Sequence, residues 1–198
     1  MVFTPSTIAA LVIAASFAAG LNVYATVLTL GLLARLHWVI LPPGLETLSN
    51  WAIIGVSGTL FAVEFVADKI PGFDLLWNAL HTFIRIPVAA LLAYRATSQL
   101  SPGMQILAAA VGGAIALAAH GSKTAARAFV TPSPEPVSNI ALSGGEDVAA
   151  VGMTWLATAH PWTAAGIALA LLLVSVFTIR WVVKALRGLW GKLAPAPS

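Results

Sequence analysis

The chain is read most directly from where polar residues interrupt its apolar runs. Thr7 to Ala34 is almost unbroken apolar sequence, interrupted only by Gly20-Leu21-Asn22. A membrane-crossing helix needs about 20 residues, so this stretch is too long for one upright helix and too short for two. It fits either one long tilted helix or two half-helices that meet at Gly20–Asn22 as a re-entrant hairpin. Arg35 to Asn50, with Pro42-Pro43-Gly44, reads as a loop. Trp51 to Ile70 is a span, and Phe73 to Tyr94 is another that Pro87 should kink, because proline removes a helical N–H. Met104 to Val130 then repeats the opening pattern, with an apolar run, a break at His120-Gly121-Ser122 and a shorter arm carrying Lys123 and Arg127. Asn139 to Ala159 is a span that begins through Gly144-Gly145, and Thr163 to Val183 is the last, after a turn at Pro161-Trp162.

This order predicts an all-α membrane protein with four spanning helices plus two broken (re-entrant) helical hairpins, arranged as two parallel internal repeats. Residues 1–198 form a single integral membrane domain, with a first repeat at 1–100 and a second at 101–198. Ala18-Ala19-Gly20 matches Ala118-Ala119-His120 at the breaks, and Pro71 and Pro161 close corresponding elements.

Composition fixes the solvent. Hydrophobic residues make up 59% of the chain and charged residues 9%, against about 25% charged in soluble domains. So much apolar surface calls for a bilayer. The N-terminus lacks a basic region before its apolar run, so a cleaved signal peptide is not expected. The formal charge of +3 comes largely from Arg180, Lys184, Arg187 and Lys192 in the C-terminal tail. Such a tail fits a cytoplasmic end beside anionic lipid, and no basic patch elsewhere suggests nucleic acid. With both hairpins re-entrant, Arg35, Arg95 and both termini fall on the cytoplasmic side. With no cysteine, disulfides and thiolate metal sites are excluded.

Against this background the polar positions stand out. Glu64 and Asp68 lie four residues apart on one helix face, and Asp74, Asn78, His81 and Arg85 follow at spacings of four, three and four. Asn22, His120 and Lys123 fall at the expected hairpin tips, and Arg127, Glu146 and Asp147 lie nearby. An ionised side chain at the bilayer centre costs about 2.5–3.5 kcal/mol on insertion scales, so these residues must face one another or water.

One reading is structural ion pairs, Glu64 or Asp68 with Arg85, and Glu146 or Asp147 with Lys123 or Arg127. The other is a polar cavity between the repeats, where Arg85, Lys123 and Arg127 suit a small anion or a lipid phosphate and the four acids suit a proton or cation. The candidate substrate- or ion-binding set is therefore Asn22, Glu64, Asp68, Asp74, His81, Arg85, His120, Lys123, Arg127, Glu146 and Asp147. No catalytic residue, cofactor or metal is expected, since the histidines lack ligand spacing and no nucleophile motif is present. His81 and His120 read as members of the polar stripe ahead of proton relays. Gly112-Gly113, Gly55 and Gly58 read as close helix packing, and the tryptophans near span ends as interface anchors.

The runs AAGLNVYATVLTLGLLAR, EFVADKIPGFDLLWNALHTFIRIPVAALLA and SPEPVSNIALSGGEDVAAVGMTWLATAHP resemble the bacterial membrane proteins grouped as domain of unknown function family 4126. The matching positions are Glu64, Asp68, Lys69, Pro71, Asp74, Trp77, His81, Arg85 and Pro87, then Ser133 to Asn139 and Glu146-Asp147. The resemblance implies a small multi-pass protein of the bacterial inner membrane and no particular activity. Together with the polar pocket, it leads to the expectation of a small transporter or lipid-phosphate flippase, with a homodimer left open. The alternative is a non-transporting membrane subunit or assembly factor whose charges are structural.

Overall fold

The computed structural model describes residues 3–70, 73–130 and 136–193. Its helices are α1 (Pro5–Leu21), α2 (Val23–Arg35), α3 (Trp51–Ala67), α4 (Phe73–Ala96), α5 (Pro102–Val130), α6 (Pro136–Ala159) and α7 (Pro161–Leu193), with a 3-10 helix at Pro43–Ser49. Among the described residues there is no strand.

The local chemistry of the helix ends is legible residue by residue. Thr4 caps α1 by accepting from the Thr7 N–H at 3.2 Å, and Pro5 takes a first-turn position where its missing donor costs nothing. Asn22 serves two helices at once. Its backbone is extended (φ −150°, ψ 104°), its N–H still reaches the Ala18 carbonyl, and its Oδ1 accepts from the Ala25 N–H at 2.9 Å to start α2. At the far end of α2, His37 adopts a left-handed φ of 58°. There the Trp38 N–H bonds the Leu33 carbonyl and the His37 N–H bonds that of Ala34, the pattern glycine usually supplies.

The chain folds back at Asn22, because Leu30 of α2 lines one small cavity with Leu11, Val12 and Ser16 of α1. α1 is apolar all round and buried along nearly its whole length, as a central helix should be. α4, α5, α6 and α7 all pack on it. Small residues make this possible. A Cβ on Gly20 would lie 2.6 Å from the Ala116 carbonyl, and one on Gly112 would lie 2.6 Å from the Ala93 Cβ and 2.8 Å from Ser16 Oγ.

Among the described residues, three helices are long and apolar enough to cross a membrane, over Leu76–Ala96, Pro102–Arg127 and Pro161–Lys184. A fourth results if the 3-10 helix and α3, bent by 69° from one another, are taken as one span. Outward-facing Phe83, Trp38, Phe177 and Trp181 are each more than half exposed, consistent with hydrocarbon or interfacial surroundings.

Four expectations need correction. α5 runs unbroken through His120-Gly121-Ser122, so the second hairpin is absent and the pairing of the two halves loses its main element. Ser122 and Thr124 bond carbonyls of their own helix, and His120 bonds a neighbouring one, so these polar residues do not require a break. Ala116 and Ala119 instead receive Gly20. α6 starts near Pro136, placing Gly144 and Gly145 inside the helix and facing open space. Part of the expected loop between Arg35 and Asn50 is 3-10 helix. Gly55 also faces open space and packs on nothing. The expected breaks at Pro71-Gly72 and Thr131 to Glu135 lie outside the described residues.

Candidate functional site: a buried ion-pair cluster

The last turn of α3 carries Glu64, and Asp68 caps its end one turn on. α4 presents Asn78, Thr82 and Arg85 along one stripe, and α5 presents His120, Lys123 and Arg127 at i, i+3 and i+7. α6 adds Glu146 and Asp147, and the α1–α2 fold-back brings Asn22 to the same place.

These side chains meet. Arg85 pairs with Glu64, and its Nη1 also donates to Asn78 Oδ1 at 3.0 Å and to His120 Nδ1 at 2.7 Å. Lys123 Nζ lies 2.8 Å from Asp68, 3.2 Å from Glu146 and 3.8 Å from Glu64. Arg127 Nη2 donates to Asp68 at 3.1 Å and to Glu146 at 2.7 Å. Glu64, Asp68, Arg85, Lys123 and Arg127 are each no more than 3% exposed. Burying an ion costs several kcal/mol even after relaxation, and only close, multiply bonded partners offset it. Glu64, Asp68 and Glu146 against Arg85, Lys123 and Arg127 form a set without net charge.

Two of the cations also close helix ends. Lys123 Nζ donates to the Leu21 carbonyl at 3.2 Å, at the end of α1, and Arg127 Nη1 donates to the Asp68 carbonyl at 3.0 Å, just past α3. Both sit where the helix dipole is negative. The cluster thus binds α1, α3, α4, α5 and α6 through side chains.

His120 accepts from Arg85 at Nδ1, so its Nε2 carries the proton and donates to the Asn78 carbonyl at 3.1 Å; Thr82 Oγ1 lies 2.8 Å from the same nitrogen. A neutral imidazole held this way bridges α4 and α5. His81 turns elsewhere: its Nδ1 lies 2.8 Å from the Trp77 carbonyl and its ring packs on Trp77 and against the edge of Tyr24. Asp147 accepts from Asn22 Nδ2 at 2.9 Å and lies 4.0 Å from Lys69, whose ammonium rests over the Phe65 ring. Asp74 lies outside the described side chains.

Of the proposed set, then, Asn22, Glu64, Asp68, Arg85, His120, Lys123, Arg127, Glu146 and Asp147 come together, and His81 stands beside them without joining. Asn78 and Thr82 belong to the cluster as well, Asn78 from the polar stripe of α4 and Thr82 from beside it. Thr82 lies four residues after Asn78 and three before Arg85, so the helical spacing carried that signal. Ser143, one turn before Glu146 and Asp147, is fully buried, and its hydroxyl has no hydrogen-bond partner among the described residues.

The cluster is not sealed on every side. Glu146 and Lys123 are on the wall of a groove of about 410 Å³ shared by α1, α5, α6 and α7, otherwise lined mainly by residues such as Phe17, Leu21, Leu142 and Leu171, with Ser122, Ser175 and Thr178.

Fold and site together define a membrane-type helical protein whose buried charges gather in one internal cluster. The chain belongs to the family described as domain of unknown function DUF4126, whose sequence model matches residues 9–181 and so takes in every charged member of that cluster. No curated protein and no solved structure matches the chain.

Proposed function

We propose that the protein is a small transporter of amphiphilic anions, a lipid phosphate being the best fit, in a bacterial inner membrane. The observation that supports this reading is the double position of Glu146, which closes the ion-pair cluster and also borders the groove. Its carboxylate rests between Lys123 and Arg127, where a phosphate would find the same donors. The groove is of a size that holds small ligands. Exchange of the Glu146 carboxylate for a phosphate headgroup would leave the acyl chain along the apolar wall and keep the two cations paired.

The same reading gives a topology. Pro5 lines a cavity with Thr97, Leu100 and Met104, and Gly121 of α5 lies beside Ile179 of α7, so α1, α5 and α7 run in the same direction. α3 to α7 would then cross, with the α1–α2 hairpin dipping in from the N-terminal side. Lys69, Arg180, Lys184 and Arg187 lie at one end and Arg35 and Arg95 at the other, which favours a cytoplasmic C-terminus and an external N-terminus. This arrangement replaces the expectation that both termini are cytoplasmic.

The test is reconstitution into liposomes with a fluorescent phosphate-bearing lipid. Wild type should move the probe between leaflets faster than protein-free vesicles, and Glu146→Gln should change that rate about tenfold while remaining monodisperse in detergent. No movement by folded wild type with either the lipid or inorganic phosphate would overturn the proposal. The second reading is a non-transporting subunit, favoured by the charge balance within the cluster. It predicts that cluster variants lose fold and nothing else, and that a stoichiometric partner co-purifies in mild detergent.

A further inference from the structure

We infer that Asp147 is a proton-binding site at the tip of the α1–α2 hairpin, apart from the charge-balanced cluster beside it. Three acids already match three bases there, and Asp147 is a fourth carboxylate with Lys69 as its one ion-pair partner among the described residues. It is 5% exposed, and its Oδ2 has no hydrogen-bond partner among the described residues. Its one close hydrogen bond comes from a neutral group, the Asn22 amide, at 2.9 Å. Lys69, the nearest cation, stays 4.0 Å away with its side chain 22% exposed, and donates instead to the Phe65 carbonyl at 2.8 Å.

The other charged groups facing Asp147 are Lys123 from α5 and Glu64 from α3, with Glu146 adjacent on α6. Lys123 is already committed to Asp68 and Glu146. A proton on Oδ2 would neutralise the carboxylate and leave the Asn22 bond to Oδ1 in place. A metal cation is a poorer occupant, because the Lys69 ammonium faces the same oxygen and Asn22 Oδ1 is taken by the Ala25 N–H. The site stands whether or not the groove carries lipid, since proton binding is read on the protein alone.

Infrared difference spectroscopy of the full chain in lipid nanodiscs tests this, comparing mildly acidic with mildly alkaline buffer. Wild type should show a buried carboxylic-acid carbonyl band that appears on acidification and is lost in Asp147→Asn, whose side chain reproduces the shape of the protonated acid. Lys69→Gln, at a half-buried position that leaves the cluster intact, should move the midpoint of the same band to higher pH by about half a unit. A band unchanged in Asp147→Asn would place the proton on another acid and overturn the inference. Absence of any such band in wild type across the range would do the same, as would a midpoint indifferent to Lys69→Gln should Asp147→Asn fail to fold.

Discussion

At the scale of single residues, the cluster is held by reciprocity. Arg85 is fully buried and its partner Glu64 is too, so removing either takes from the other its closest ion-pair partner. Arg85→Ala should therefore lower stability by about 3–5 kcal/mol, whereas the double change of Glu64→Gln with Arg85→Met should cost less than the single one. Thermal unfolding in detergent measures both, and equal losses would mean the pair is not coupled. Glycine positions give an opposite pair of outcomes. Gly20→Ala forces a Cβ against the Ala116 backbone and should destabilise by about 1–3 kcal/mol. Gly55→Ala meets nothing within 4 Å on an α-helix and should stabilise by about 0.5–1 kcal/mol. Much of this scale was legible beforehand: Glu64 with Arg85 and Glu146 with Lys123 or Arg127 were among the pairs that charge and spacing suggested. The Asp68 pairing with Lys123 and Arg127 was not, because it depends on α5 being straight enough to bring two successive turns to the end of α3.

Elements explain where sequence reading succeeded and where it failed. Gly20-Leu21-Asn22 and His120-Gly121-Ser122 look alike as breaks, yet only the first is one. Asn22 supplies a cap to the following helix and a bond to Asp147, so a bend there leaves no group unsatisfied. In α5 the same kind of residues find partners without bending: His120 reaches Arg85 and the Asn78 carbonyl across the helix pair, and Gly121 admits Ile179 to within 3.2 Å of a would-be Cβ. What separates the two is the set of hydrogen-bond partners each finds, and tertiary contacts are what a single sequence hides. The C-terminus of α2 offers a test at this scale. His37 holds a φ of 58° that costs a residue with a side chain about 1 kcal/mol, so His37→Gly should raise the melting temperature modestly. A lower one would indicate that the ring itself contributes.

For the whole molecule, the apolar outside and the charged inside were both implied by composition, while the path of the chain was not. The sequence has no cysteine, which makes introduced ones clean reporters. Thiol labelling of intact cells at Ser6→Cys and Ser101→Cys should report the same face, and Arg187→Cys the opposite one. Labelling of all three from one side would refute the crossing pattern proposed above.

The order in which the partners leave the ribosome adds a constraint on biogenesis. Glu64 is synthesised 21 residues before Arg85, and Asp68 waits a further interval, 55 residues for Lys123 and 59 for Arg127. Until α5 is made, Asp68 at the end of α3 lacks the two cations that bond it in the folded protein, Lys123 and Arg127, and α3 is a poor candidate for release into lipid on its own. A nascent chain halted after α4 should therefore remain extractable by alkaline carbonate, and one halted after Val130 should resist it.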